Sequence, residues 1–144
     1  MIDGLNNADV LPVLERVLQF AGQRHRLIVN NIANLNTPGF RPMDVSVEAF
    51  QKQLGKAVDD RREDHGPFGG SLDLEESKQV SFTNNSLTLH PEAAANSILF
   101  HDGSEKNIER TMQDLVENFS TFRLAADLLR KRVELLETAI RGRV

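Results

Sequence analysis

Four histidines, His25, His65, His90 and His101, are the residues of this chain best suited to proton transfer or metal binding, and their spacing argues against both. No two stand three or four residues apart, the separation that turns a pair of imidazoles toward one cation from a single helix face. His25 also lies between Arg24 and Arg26, whose charges repel a metal ion. Serine and aspartate are plentiful, but none sits in the strand–turn–helix setting that lifts a nucleophile clear of a sheet. Gly66-Pro67-Phe68-Gly69-Gly70 lacks the lysine of a phosphate-binding loop and leads into no evident helix. Glu75 and Glu76 fall in a polar loop and read as solvated. The absence of cysteine removes thiol catalysis, disulfides and thiolate ligands. With Tyr and Trp also absent, few aromatic groups carry the polar handle that a ligand pocket uses. The expectation is no enzyme: no catalytic, cofactor-binding or metal residue, no cofactor and no small-molecule substrate.

Charge excludes further classes. Seventeen basic residues against 21 acidic ones give −4, too mild a balance to imply nucleic acid or an anionic membrane as partner. No apolar run has the length needed to cross a bilayer. Asp3, Asp9 and Glu15 occupy the region where a secretory signal is basic, so no cleaved signal peptide is expected.

The strongest pattern is structural. Ile108, Met112, Leu115, Phe119, Phe122, Ala126, Leu129, Val133, Leu136 and Ile140 follow one another at alternating steps of four and three. Seven residues per two turns keeps a narrow stripe facing a partner helix, as in a coiled-coil seam. A helix from Ser104 to Arg141 would be roughly 55 Å long at 1.5 Å per residue. A globule of this chain length is only roughly 35–40 Å across. An elongated, assembled protein is therefore expected. Arg130, Lys131, Arg132, Arg141 and Arg143 outnumber Glu134 and Glu137 near the helix end, where they complement its dipole.

A second long helix is expected from Asp9 to Leu35, capped by Asp9, with Pro12 tolerated in the first turn. Its stripe comprises Val10, Leu14, Val17, Ala21, Ile28, Ile32 and Leu35. Gln23, Arg24, His25 and Arg26 interrupt it, either as a solvated bulge or as buried polar groups that fix register. The basic content of its polar face is too low, and Trp too absent, for a membrane-surface helix.

Asn30, Asn31, Asn34 and Asn36 crowd the end of that helix, and Thr37-Pro38-Gly39-Phe40 has the Pro-Gly order of a type II turn. Two uses of the asparagines stand open: simple capping, or additional hydrogen bonds, including bonds to neighbouring chains. Asp44 to Ala57 reads as a short amphipathic helix with Val47, Phe50 and Leu54 on one face. The charge run Asp59–Asp64 and the glycine-rich stretch follow as loop. Val80, Phe82, Leu87 and Leu89 alternate with polar residues about Asn84-Asn85, a β-hairpin pattern ended by His90-Pro91. The expected fold is thus mainly α. Two long terminal helices pair as an antiparallel-type coiled-coil hairpin around an irregular middle containing a short helix and a β-hairpin. Residues 1–41 and 102–144 form one inner domain, with 42–101 a variable middle.

Asn30-Asn31-Ile32-Ala33-Asn34-Leu35-Asn36-Thr37-Pro38-Gly39-Phe40 resembles the N-terminal signature of the bacterial flagellar rod, hook and hook-associated family, with Leu35 where a small residue is usual. Arg41-Pro42-Met43-Asp44-Val45, Asp102-Gly103, Glu109-Arg110 and the close Ala139-Ile140-Arg141-Gly142-Arg143 are similar to its small proximal rod subunits. The resemblance covers about half the chain, at its two ends. It implies a subunit that reaches the periplasm unfolded through the flagellar type III export channel. There it polymerises through its terminal helices into the hollow shaft that transmits torque and conducts exported subunits. Implied partners are further copies, other rod subunits, the motor ring and the export gate. Phe50-Gln51-Lys52-Gln53-Leu54 has the form of the family's export-gate motif, and also that of a plain amphipathic turn. The competing reading is a soluble coiled-coil export chaperone or regulator holding a client helix in the same stripe. It gives the asparagine-rich turn no evident use.

Overall fold

The computed structural model describes residues 10–65, 72–83, 86–93 and 108–142. Helix α1 spans Val10–Ala33 and helix α3 spans Ile108–Ile140. Between them come strand β1 (Met43–Asp44), helix α2 (Val47–His65), strands β2 (Val80–Thr83) and β3 (Ser86–Leu89), and strand β4 (Glu92–Ala93). The Asp9 cap, the glycine-rich stretch, the Asn84-Asn85 turn, residues 94–104, His101 and Arg143 lie outside the described residues.

The two long helices pack along each other in opposite directions. Arg24 of α1 meets Asp114 of α3, and Ala21 meets Asn118, so positions descend along one helix as they ascend along the other. Continuing this register sets Leu14 opposite Ala125 and Ile28 opposite Thr111. Leu14, Ala21 and Ile28 are buried, seven residues apart, as an antiparallel seam requires. Helix α3 has 33 residues against 24 in α1. Its last turns therefore run beyond Val10.

The other side of α1 carries the core. Phe20, Val45, Phe50, Leu54, Ala57, Leu72, Val80 and Leu87 form one buried cluster, uniting α1, α2 and the β2–β3 hairpin. Phe20 and Phe50 stack with ring centroids 4.0 Å apart. The hairpin pairs Val80 with Leu89 and Phe82 with Leu87, turning those four side chains to one face.

Helix α2 differs from expectation at both ends. It starts at Val47 because the Ser46 hydroxyl accepts a hydrogen bond from the Ala49 amide (3.1 Å), an N-cap. It continues to His65, so the charge run is helical rather than loop. Phe50, Leu54, Ala57 and Arg61 keep a buried face at helical spacing, and the remaining charges solvate the outside. The β1–β4 pair, in which Met43 faces Ala93 and Asp44 faces Glu92, was not anticipated. Two-residue strands leave no periodicity to read.

At the end of α1 the chain turns as its composition suggests. Gly39 has φ +73°, and the Phe40 amide donates to the Thr37 carbonyl at 3.2 Å, closing a type II turn.

Candidate assembly interface

Helix α3 buries only Asn118 and Ala125 fully, with Thr111, Asp114, Leu115, Ala126, Leu129, Arg132 and Leu136 half-buried. The face laid on α1 thus follows the steps 111, 115, 118, 122, 125 and 129, and the same stripe continues through 132 and 136 beyond Val10. This is again a four-and-three alternation. It shares Leu115, Phe122, Leu129 and Leu136 with the apolar seam read from sequence. Ile108, Met112, Phe119, Val133 and Ile140 stand one flank over and are exposed. Phe122 lies at the boundary, its ring 3.7 Å from where a Cβ on Gly22 would stand. In α1, Leu14 and Ile28 are buried, while Val10, Val17 and Ile32 are half-buried.

Polar groups hold the register. The Asn118 amide donates to the Ala21 carbonyl at 2.8 Å within the seam. Arg24 is buried and forks onto Asp44, Nε to Oδ1 at 2.9 Å and the terminal nitrogen to Oδ2 at 2.6 Å, with Asp114 at 3.6 Å. Three elements, α1, β1 and α3, therefore meet at one guanidinium. Burial works against its charge, but the hydrogen bonds and charge of Asp44, joined by Asp114, hold its pKa above the ordinary arginine value. Asp114 is the weaker partner: burial raises its pKa, and the attraction of Arg24 opposes this without cancelling it. Of the interruption in α1, Gln23 and Arg24 are thus partnered, while His25 and Arg26 are solvated.

Two side-chain amides of α1 act as substitute strand residues. Gln23 donates to the Leu87 carbonyl and accepts from the Leu89 amide, closing the free edge of β3. Asn31, buried, donates to the Met43 carbonyl at 2.8 Å and accepts from the Met43 amide at 3.1 Å. Asn34 donates to both the carbonyl and side-chain oxygen of Asn30. Asn30, Asn36, Thr37, Pro38 and Gly39 are exposed and Phe40 half-buried, so this part of the motif is presented on the surface. Phe50 and Leu54 are core residues.

Among the described residues there is no group of three potential metal ligands and no helix long and apolar enough to cross a membrane. Sequence reasoning did not single out Asp44, Asp114 and Asn118. Only the polar gap in α1 signalled that partners were needed.

No protein-family model matches the chain. It is 20% identical over 129 residues to the flagellar basal body rod protein FlgB of Bacillus subtilis (strain 168), covering 90% of this chain and 91% of that protein. That similarity runs through the middle of the chain as well as its ends, and it relates this sequence to the bacterial flagellar basal-body rod proteins of the FlgB type.

Proposed function

We propose that the chain is a structural subunit of the flagellar basal-body rod, polymerising through its terminal helices into a hollow, torque-transmitting shaft in the periplasm. The observation that carries this is the collinear similarity to a rod protein over nine-tenths of both chains. The exposed apolar side chains of α3 support it, since a monomer leaves them in water. In this reading residues 1–41 and 102–144 form the inner domain, and the partners are further copies, other rod subunits, the motor ring and the export gate. Export would be through the flagellar type III pathway. The Phe50–Leu54 segment serves there as a gate signal only while the chain is unfolded, because folding buries both side chains.

The test is genetic and compositional. Deleting the gene should abolish motility and leave no rod, and purified basal bodies should contain the chain in stoichiometric amount. Normal motility in the deletion strain, or basal bodies lacking the chain, would overturn the reading.

A further inference from the structure

The guanidinium of Arg24 faces carboxylates from two different elements through a single nitrogen. Its Nη2 stands 2.6 Å from Asp44 Oδ2 of β1 and 3.6 Å from Asp114 Oδ1 of α3. Both close hydrogen bonds go to Asp44, so that pair is already neutral. Asp114 is therefore a surplus negative charge, and its side chain is only 32% exposed. The other charged groups nearby do not answer it. On α3, Arg110 and Glu117 flank it one turn to either side, opposite in sign and both exposed. On α1, His25 and Arg26 are exposed to solvent. On β4, Glu92 stands across from Asp44, a further negative group, and accepts a hydrogen bond from Gln79.

Position gives this charge leverage. One turn further along, the buried Asn118 amide clamps α3 to the Ala21 carbonyl. In the other direction, only Thr111 is half-buried between residues 108 and 113, and its neighbours there are exposed. Asp114 thus stands where the clamped part of α3 gives way to its lightly covered start. An ionised Asp114 regains its water only if that start lifts from α1, whereas a protonated one loses little by staying.

We propose that Asp114 makes the docking of the first turns of α3 proton-dependent, tight when its carboxyl is protonated and loose when it is ionised. The direction of its titration agrees. Burial raises the pKa of Asp114; Arg24 opposes this, Asp44 adds to it, and Arg110 and Glu117 contribute less in opposite senses, leaving the net upward. A carboxyl raised in the folded state favours docking below the ordinary carboxylate pKa of about 4, and that contribution is lost as pH rises through the folded value. The start of α3 is therefore held least firmly at neutral pH. This is a property of the single chain and holds whether or not it polymerises.

The test is amide exchange of the full chain, read by mass spectrometry between about pH 7.5 and about pH 4.5 and corrected for the pH dependence of the chemical step. Protection over residues 108–117 should rise toward acid by about threefold or more relative to the core peptides carrying Phe50 and Val80. Asp114→Asn should hold the raised protection at both ends of the range, while Glu117→Gln should keep the pH dependence. By NMR, the Asp114 carboxyl should titrate at a higher pH in the folded chain than in a peptide of residues 110–118. Protection that stays flat or falls toward acid, a dependence that survives in Asp114→Asn, or a carboxyl that titrates at or below its peptide value would overturn the proposal.

Discussion

Replacing Asp44 with alanine removes the close partner of a buried cation. The Arg24 side chain is only 8% exposed, and both of its short hydrogen bonds end on Asp44. Breaking a buried ion pair from one side costs about 3–5 kcal/mol, because the stranded charge keeps its desolvation penalty. Two features reduce that figure: Asp44 itself is 27% exposed, and Asp114 waits at 3.6 Å to take part of the load. A loss of about 2–3 kcal/mol is expected. For a chain of this length that is a fall in Tm of roughly 10 °C. Arg24→Met should cost less, since it removes the buried charge and leaves a carboxylate with access to water. The Arg24→Met/Asp44→Ala double variant should be no less stable than Asp44→Ala alone. Urea unfolding at neutral pH, followed by far-UV circular dichroism, measures all three. Truncating Lys56, whose ion pair with Glu75 at 2.9 Å is exposed on both sides, is the control and should have no measurable effect. If the Arg24 and Asp44 effects add to within about 0.5 kcal/mol, the two residues are uncoupled and the account of the three-way junction is wrong.

Asp114 supplies a pH prediction. Its folded-state pKa is raised, so the native state binds a proton more tightly than the unfolded chain. Its contribution is full below the ordinary carboxylate pKa of about 4 and is lost as pH rises through the folded value. Asp114→Asn should flatten that part of the stability profile and leave neutral-pH stability unchanged or higher; a clear loss of stability at neutral pH would contradict it. Gly39→Ala should cost about 1 kcal/mol in urea unfolding, through backbone strain alone, since an added Cβ meets nothing within 4 Å at φ +73°. Asn118→Leu should retain stability to within about 1 kcal/mol yet loosen the α1–α3 register, read as slipped cross-links in a Leu14→Cys/Ala125→Cys background. A single unslipped product would assign the register to other residues.

The long helices, the turn at Gly39 and the hairpin were legible because each is encoded by neighbours in sequence. Periodicity places α1 and α3, Pro38-Gly39 sets the turn, and Val80, Phe82, Leu87 and Leu89 alternate as a strand pair must. What the sequence concealed is what joins distant residues. Arg24 finds Asp44 twenty positions away and Asp114 ninety away, and no local pattern announces either partner. The same holds for Gln23 on β3 and Asn31 on β1, where a side chain does the work of a strand. Helix α2 misled for a different reason: mixed charge looks like loop until Arg61 is seen on the buried face. The α3 stripe was legible as apolar but not in its allocation, because a four-and-three alternation can be cut along two adjacent flanks. Asn118 shows which one α1 takes.

The arrangement of the core has a kinetic corollary. Every member of the main hydrophobic cluster lies between Phe20 and Leu87, and α3 rests chiefly on the far side of α1. Peeling α3 away would open the Asn118 and Asp114 contacts while leaving the Phe20–Phe50 stack and the hairpin closed. The chain is therefore built as two cooperative units of unequal strength, and amide exchange along α3 should proceed through a partial opening well below the global unfolding free energy. A nascent chain could complete its core before its last helix settles, so the segment richest in uncovered apolar surface is the last to commit.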